Sequence, residues 1–466
     1  MKKTFRFLSM AALLVVGAIM TGCSSDDNID NPQQPANKDN VVTLTATVSL
    51  DGGAGTRAID GTTGTKTFES GKQIAVIYKD TDNKTKKAVS TDFTPLTDAT
   101  KATFTVTLNN PASNSAIRYI YPASMAKDVA EDATITDDDA TIDYSGIFGS
   151  QDGTLTKLAD YDLAVKDATL SGTDQPATVT LANPLAICKF TLKKDGSSAI
   201  TSFVNSLTIS DGTNAYAVTP SALDAIYVAM KPASGNIAFT ARTSDSKTYF
   251  KTATGTSLVA SKLYTSITVS MQELALGNVF CSDGSVYATK DAATTAGKTP
   301  VAKIAYLGND AETSPTNTAF KNGLALALED VSDTKTWCSQ TDAICLGTQY
   351  DNSTKFNDLA GIANTDALVN NTGHTHAAAS AARNYNSGTH PAGTSAWFLP
   401  SAGQWDKMAA GDYAALKTNA VLLEYGNYWS STEYVAYLAW YLRSSNFNWY
   451  KDSKGINGQV RACLAF

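Results

Sequence analysis

Nine short segments that alternate apolar residues with Thr or Ser at a period of two dominate the chain from Val41 to Met271. VTLTATVSL (42–50) and ATFTVTL (102–108) show the pattern most clearly. Residues two apart share one face of a strand, so this period predicts β-strands, and the polar clusters between the segments predict turns. The other seven segments are KQIAVIY (72–78), ATVTL (177–181), AICKFTL (186–192), SLTIS (206–210), AIYVAM (225–230), GNIAFTA (235–241) and LYTSITV (263–269). Their spacing predicts antiparallel β-sandwiches.

The first 22 residues have the organisation of a bacterial export signal. Three basic residues precede an apolar run from about Met10 to Met20, which is too short to span a membrane. The sequence Met20-Thr21-Gly22-Cys23 resembles a lipoprotein cleavage motif. By this resemblance Cys23 carries fatty acyl chains such as palmitate and begins the mature protein. The alternative is a soluble secreted protein with an ordinary cleavage site.

The segment at residues 23–40 is polar and contains two prolines, which predicts a solvated tether. SSDDNID (24–30) resembles the acidic tract that sends lipoproteins of gram-negative anaerobes to the outer face of the outer membrane. The formal net charge is −7, and it is more negative without the basic leader. An acidic chain without a basic stripe is a poor candidate for binding nucleic acid. We therefore expect a surface lipoprotein with no nucleic-acid partner.

Aromatic residues concentrate near the C-terminus. Ten of the residues from Tyr425 to Tyr450 are Phe, Trp or Tyr, against 9% of the whole chain. Interfaces concentrate Tyr, Trp and Arg, so this composition favours a recognition surface over the alternative, the core of a small irregular domain. Trp397, Trp429 and Trp440 lie in apolar contexts and are predicted to be core. The predicted ligand-binding residues are Tyr437, Tyr441, Arg443, Asn446, Asn448, Trp449 and Tyr450.

This part of the chain also resembles a known class of domains. The matching segments are WFLPS (397–401), YWSSTEY (428–434), AWY (439–441) and VRACLAF (460–466). They are similar to the C-type-lectin-fold domains of bacterial surface proteins, especially those diversified by retroelements. The resemblance implies an α+β ligand-binding domain over residues 277–466, with variable positions at 435–438, 441–450 and 453–459. No Glu-Pro-Asn or Trp-Asn-Asp triplet is present, so calcium-mediated sugar binding is not expected, and the fold alone does not name the ligand.

Three local patterns fit such an α+β domain. VFCSDGSVYAT (279–289) predicts a hairpin that turns at Asp283-Gly284. AAASAARNY (377–385) has the composition of a short helix, and a capping box from Ser401 to Gln404 predicts the start of another. FKNGLALALED (320–330) fits either a helix or a strand.

The body of the chain resembles fimbrillin-type pilins, the subunits of type V pili. The matching motifs are FESGKQIAVIY (68–78), IYPAS (120–124), QDGTLTKLADYDL (151–163), LANPLAICKFTL (181–192), IYVAMKP (226–232) and SKLYTSITV (261–269). The resemblance implies a mainly β chain with two tandem fimbrillin-like sandwiches, residues 41–168 and 169–273. It also implies proteolytic cleavage between Arg57 and Ala58, followed by insertion of a donor strand from another pilin subunit. The alternative is that Arg57 is an ordinary solvated loop residue.

Three functions follow from these patterns. The leading hypothesis is a fimbrial adhesin, exported as a lipoprotein, which binds a glycan or protein ligand through residues 277–466. A pilin within the fimbrial shaft needs a free C-terminal strand to donate, and here a C-terminal domain occupies that place. This favours a position at the fimbrial tip. The second hypothesis is a surface lipoprotein outside any pilus, with a lectin-like binding module. The third, an enzyme of the formylglycine-generating class, is not expected, because no catalytic motif, cofactor site or metal site is apparent.

Cysteines in an exported chain predict disulfides. Cys338 and Cys345 could close a small loop, and Cys281 and Cys463 would lie on neighbouring first and last strands of the lectin-like fold. Cys188 is left over and is predicted to be a buried free thiol. The three histidines, His374, His376 and His390, have no Cys or carboxylate at ligand spacing, so a loop and helix-start role is favoured over a metal site.

Overall fold

The computed structural model describes residues 40–50, 68, 70–98, 100–174, 177–194, 198–200, 203–313, 320–331, 333–340, 342–409 and 425–466. The predicted export signal, the acylation site Cys23 and the Arg57–Ala58 bond lie outside these residues. Within them the fold is mainly β and is built from several sheets, as predicted. No helix in the described part of the chain has the length and hydropathy needed to cross a membrane.

The chain up to residue 273 forms sixteen strands and three short helices in the described ranges. The strands are β1 (Val41–Leu50), β2 (Ala75–Lys79), β3 (Thr85–Val89), β4 (Thr94–Pro95), β5 (Lys101–Asn109), β6 (Ala116–Tyr121), β7 (Ala164–Thr169), β8 (Thr178–Leu181), β9 (Ala186–Lys194), β10 (Ser198–Ala199), β11 (Val204–Ser210), β12 (Ala215–Val218), β13 (Ile226–Met230), β14 (Ala233–Thr243), β15 (Thr248–Leu258) and β16 (Leu263–Glu273). The helices are α1 (Asp138–Thr141), α2 (Ser145–Gly149) and α3 (Leu155–Leu158), with 3-10 turns at Ala123–Met125 and Ala159–Tyr161.

The C-terminal region, residues 277–466, mixes strands and helices. Its strands are β17 (Val279–Cys281), β18 (Val286–Tyr287), β19 (Pro300–Leu307), β20 (Gly323–Ala327), β21 (Lys335–Thr336), β22 (Asn427–Val435), β23 (Leu438–Arg443), β24 (Asn448–Ser453), β25 (Asn457–Gly458) and β26 (Cys463–Ala465). Its helices are α4 (Lys290–Thr295), α5 (Gly361–Val369), α6 (Ala377–Arg383) and α7 (Ala402–Ala409), with 3-10 turns at Lys355–Asn357 and Tyr385–Gly388.

Two four-stranded sheets form the first sandwich. One has the order β4-β5-β1-β8 and the other β3-β2-β6-β7. Strand β1 lies inside its sheet, antiparallel to β5 and parallel to β8. Its inward side chains Leu44, Ala46 and Val48 are buried, in agreement with the period of two in the sequence. The pairing of β8 with β1 places residues 178–181 in the first sandwich, which corrects the predicted division at residue 168.

The sheet that contains β2 is buried on both faces. Val76 and Tyr78 face the core of the first sandwich, and Ala75 and Ile77 face a second core. That second core lies under a sheet of the order β10-β9-β16-β15-β14-β11-β12, to which β13 adds by pairing with β9. A strand covered on both sides needs apolar residues at successive positions, which explains why KQIAVIY does not alternate cleanly.

The C-terminal region is organised around a sheet of the order β18-β17-β19-β20-β26 and a separate sheet of the order β22-β23-β24. Trp337, Trp397 and Trp429 are fully buried in the core between these elements. Phe250, from β15, joins the same core, so the C-terminal region shares apolar contacts with the second sandwich. Gly323 is required where β20 passes Phe466, because a Cβ atom there would lie 2.2 Å from that ring.

The nine strands predicted from alternation are confirmed, as are the hairpin at residues 279–287 and the helix that begins at Ala377. FKNGLALALED contains strand β20. The predicted Cys281–Cys463 disulfide is wrong: both thiols are free, and β17 and β26 are separated by β19 and β20. Three strand spacings of ~4.8 Å put the two residues ~14 Å apart, well beyond the reach of a disulfide.

Candidate ligand-binding surface

Strands β22, β23 and β24 carry most of the aromatic C-terminal segment and set which rings share a face. Tyr441 pairs with Trp429 on one side and with Tyr450 on the other, and Arg443 pairs with Asn448. Directly opposite residues in an antiparallel sheet lie on the same face, so these side chains share one face of the sheet, which we call the Arg443 face. Trp429 and Tyr441 are buried on this face.

The Arg443 face is built around a stacked guanidinium and two tyrosine rings. Tyr441 and Tyr450 stack with their ring centroids 5.7 Å apart, and the Arg443 guanidinium lies 4.1 Å from the Tyr450 centroid. Arg443 donates hydrogen bonds to the Tyr441 hydroxyl at 3.0 Å and to the Asn427 amide oxygen at 3.2 Å. These contacts fix the guanidinium plane before any ligand arrives, which lowers the entropy cost of binding.

Exposed amides extend this face at the turn after β23. Asn446 and Asn448 are exposed, and Asn446 donates a hydrogen bond to the Tyr450 hydroxyl at 3.0 Å. This bond lowers the pKa of the Tyr450 hydroxyl, whereas burial raises the pKa of Tyr441. The face therefore offers one accessible ring, a cation and two amides, a combination that can both stack on a ligand and orient it.

The opposite face of the same sheet holds a second set of rings with two lysines. Trp449 meets Phe356 edge to face at 5.7 Å, and Lys355 lies over Phe356 at 4.2 Å. Lys451 lies 4.0 Å from the centroid of Tyr434, which in turn packs against buried Trp440. Burial lowers the pKa of Lys355. The sequence did not predict site residues on this face, which include Lys355, Phe356, Tyr434 and Lys451. Alternation along β24 could have indicated that Lys451 and Tyr450 lie on different faces.

The structure does not bring the seven predicted ligand-binding residues together on one face. Arg443, Asn448, Tyr441 and Tyr450 share the Arg443 face with Asn446. Trp449 points to the opposite face, where it packs against another core. Tyr437 is 58% exposed in the turn between β22 and β23, at the other end of a six-residue strand from Asn446. That strand spans ~20 Å, so a small ligand cannot contact both ends.

The predicted core tryptophans are confirmed, because Trp397, Trp429 and Trp440 are 0%, 1% and 2% exposed. Each indole N–H is satisfied by a backbone carbonyl at 2.7–2.9 Å. Cys188 is a buried free thiol, also as predicted, and burial raises its pKa to about 12. Cys338 and Cys345 are free with their sulfurs 3.6 Å apart.

Among known proteins, this chain is similar only to solved structures. No protein-family model and no curated protein matches the sequence. A fimbrial protein from Bacteroides ovatus is 14% identical over 92% of this chain and 100% of its own, with a TM-score of 0.37. A protein from Bacteroides uniformis assigned provisionally to cell adhesion is 16% identical over 50% of this chain and 97% of its own, with a TM-score of 0.26.

A fimbrial assembly protein from Parabacteroides distasonis is 13% identical over 47% of this chain and 85% of its own, with a TM-score of 0.21. Identities and TM-scores at this level do not identify a function for this chain.

Proposed function

We propose that this protein is a subunit of a surface fimbria, assembled after proteolytic release of β1, and that its C-terminal region carries an adhesive surface. The observation that carries the proposal is the place of β1, which precedes the Arg57–Ala58 bond and lies inside a sheet between β5 and β8. The acylated Cys23 anchors the precursor at the outer membrane, and cleavage moves the protein into the fimbria.

Release of β1 creates a groove of the right dimensions for another strand. β1 and β5 pair in continuous register from Val41 to Ser49, and β8 borders the other side of β1. Without β1 the two bordering strands stand ~10 Å apart, with unpaired backbone groups facing each other. The core beneath Leu44, Ala46 and Val48 is opened at the same time. A donor strand from another pilin subunit, with apolar residues at alternate positions, would pair with the exposed backbone groups and refill the opened core.

A position at the tip is supported by the way β26 is built into its own region. β26 pairs with β20, and Leu464, Ala465 and Phe466 are fully buried. Its release would open the core of the C-terminal region, so β26 is a poor donor strand. The C-terminal region, with its likeness to C-type-lectin-fold domains, is instead the adhesive part of the molecule.

The Arg443 face is the ligand-binding surface in this proposal. Exposed amides at Asn446 and Asn448 flank a guanidinium that is already held in place by Asn427 and Tyr441. Such a surface suits a glycan or a surface protein that presents hydrogen-bonding groups beside a flat apolar patch.

Proteolysis of the full chain tests the fimbrial part. We expect an Arg-specific protease to leave a chain that begins at Ala58, while Arg57→Gln resists cleavage at this bond. The cleaved chain should then bind a peptide of residues 41–50, and a peptide with Val48→Asp should fail, because its carboxylate would enter the core. A cleaved chain that binds neither peptide would support the alternative, a surface lipoprotein outside any pilus.

Glycan and mucin arrays test the adhesive part. The Arg443→Ala/Tyr450→Ala variant should lose ~2 kcal/mol of binding free energy, about thirtyfold in Kd, as expected for a binding hot spot. Phe356→Ala/Lys451→Ala is the matched control and should retain affinity, because Lys451 is on the opposite face of the sheet and Phe356 packs against that face. Binding lost only by the control would move the ligand site to the opposite face.

A further inference from the structure

Two cysteines and a histidine that are distant in sequence meet in the C-terminal region. Cys338 follows β21, Cys345 lies in the loop beyond it, and His376 immediately precedes α6. The two sulfurs and a ring nitrogen of His376 all lie within 4.8 Å of one another. Cys338 and His376 are 0% and 1% exposed, and Cys345 is partly exposed. No metal site was expected from the sequence, because the two cysteines lie more than 30 residues from His376 and meet it only in the folded chain.

The imidazole of His376 has no protein hydrogen bond at either ring nitrogen, although it is buried. A buried polar group without a partner costs ~1–3 kcal/mol, so this ring requires an explanation. A neutral imidazole beside two sulfurs is a typical ligand set for zinc.

A disulfide between the two cysteines, as predicted from the sequence, leaves this imidazole unexplained. The sulfurs are 3.6 Å apart, far longer than a disulfide bond of ~2.05 Å. Two sulfurs that bind one tetrahedral zinc at ~2.3 Å are separated by ~3.8 Å, which is close to the observed spacing. The distance between the thiols therefore fits a shared ion better than a covalent bond.

The surroundings favour zinc over other ions. Lys454 Nζ lies 3.9 Å from the Cys345 sulfur and is itself paired with buried Glu433, and the Gln340 backbone N–H approaches the Cys338 sulfur at 3.4 Å. Two thiolates and a neutral imidazole leave a Zn²⁺ complex with no net charge, which suits a buried site. Cuprous ion would leave one negative charge, and calcium or magnesium prefer oxygen ligands.

We propose that Cys338, Cys345 and His376 bind one zinc ion, which ties the loop after β21 to the start of α6. Zinc binds the thiolate form of cysteine, so its binding displaces protons from the two thiols. His374, whose ring centroid lies 6.5 Å from that of His376, is a further side chain that could complete the coordination. The site stands independently of the fimbrial proposal.

The test uses the full chain, purified anaerobically with a reductant, reconstituted with zinc and freed of unbound ion. Elemental analysis should find one zinc per chain. Replacement by cobalt should give the thiolate-to-cobalt charge-transfer and visible bands of a tetrahedral site. Cys338→Ser and His376→Ala should lose the stoichiometric metal and the cobalt spectrum, whereas Cys188→Ala, a buried cysteine outside the cluster, should keep both.

Thermal unfolding provides a second readout. Zinc should raise the Tm of the wild type and of Cys188→Ala, and a chelator should reverse the rise, while folded Cys338→Ser should show no shift. A reduced wild-type chain that binds no stoichiometric zinc would overturn the proposal. Binding that survives both Cys338→Ser and His376→Ala would overturn it as well, as would a Cys338–Cys345 disulfide in protein isolated from anaerobic cells.

Discussion

Glu433 and Lys454 form an ion pair from which solvent is excluded, since both side chains are 0% exposed. The carboxylate also accepts hydrogen bonds from the backbone N–H groups of Cys345 and Leu346, both at 2.9 Å. The ammonium also donates to the carbonyls of Ala343 and Ala436. The pair thus joins β22 to the loop that contains Cys345 and to the turn after β22. Its two charges have no access to water.

Removal of one member of this pair should destabilise the protein strongly. Lys454→Met leaves the Glu433 carboxylate buried without its counter-charge, and such a loss costs ~3–5 kcal/mol. Denaturant unfolding of the wild type and the variant measures the difference. The control is Glu433→Leu/Lys454→Met, which removes both charges and should recover much of the loss. Equal stability of Lys454→Met and the wild type would contradict this role.

Neither member of the pair could be predicted from the sequence. Lysine and glutamate are rarely fully buried, and strands β23 and β24 with their turns lie between the two residues. The cluster of Cys338, Cys345 and His376 could not be predicted from the sequence either, because these side chains come together only when separate loops pack. By contrast, the burial of Trp397, Trp429 and Trp440 followed from their apolar neighbours alone.

At the scale of elements, clean alternation marks a strand that has one buried face and one solvent-exposed face. β1 and β5 alternate and were predicted closely. β15 was missed, because much of it is polar on both faces and partly exposed, so no period marks it. The predicted ligand-binding residues divide between two faces for a related reason: they are close in sequence, whereas β24 sends Trp449 and Tyr450 to opposite faces.

Strand β1 offers a direct test of release as a step in assembly. The hydroxyls of Thr45 and Thr105 touch across the β1–β5 ladder at 3.0 Å. A pair of cysteines at these positions is close enough for a disulfide. In Thr45→Cys/Thr105→Cys, oxidised, we expect cleavage after Arg57 to proceed while β1 stays attached and the chain fails to polymerise or bind the strand peptide.

Reduction of that disulfide is the internal control, because it should restore strand release without any change of sequence. The single variant Thr105→Cys should behave as the wild type under both conditions. If the oxidised double variant accepted a donor strand as readily as the reduced one, β1 would not be the strand that is exchanged.

At the scale of the molecule, the C-terminal region and the second sandwich share a tight contact. Gly393 adopts φ +82° beneath β14 and β15, and a Cβ atom there would lie 2.2 Å from the Ala238 Cβ and 3.1 Å from the Phe250 ring. The Thr252 hydroxyl donates to the Gly284 carbonyl at 2.9 Å across the same contact. Val41–Phe466 form one compact unit, and such close packing joins the two parts within it.

Gly393→Ala should therefore weaken the coupling between these two parts rather than unfold either one. Overpacking typically costs ~1–3 kcal/mol, and the left-handed backbone adds ~1–2 kcal/mol for a residue with a side chain. We expect differential scanning calorimetry to show one transition for the wild type and two for the variant, because each part keeps its own core while their shared contact is lost.

Gly373→Ala, where a Cβ atom meets nothing closer than 3.4 Å, is the matched control and should keep one transition. A single transition at unchanged temperature in Gly393→Ala would mean that the contact contributes little, and that the two parts unfold together for another reason.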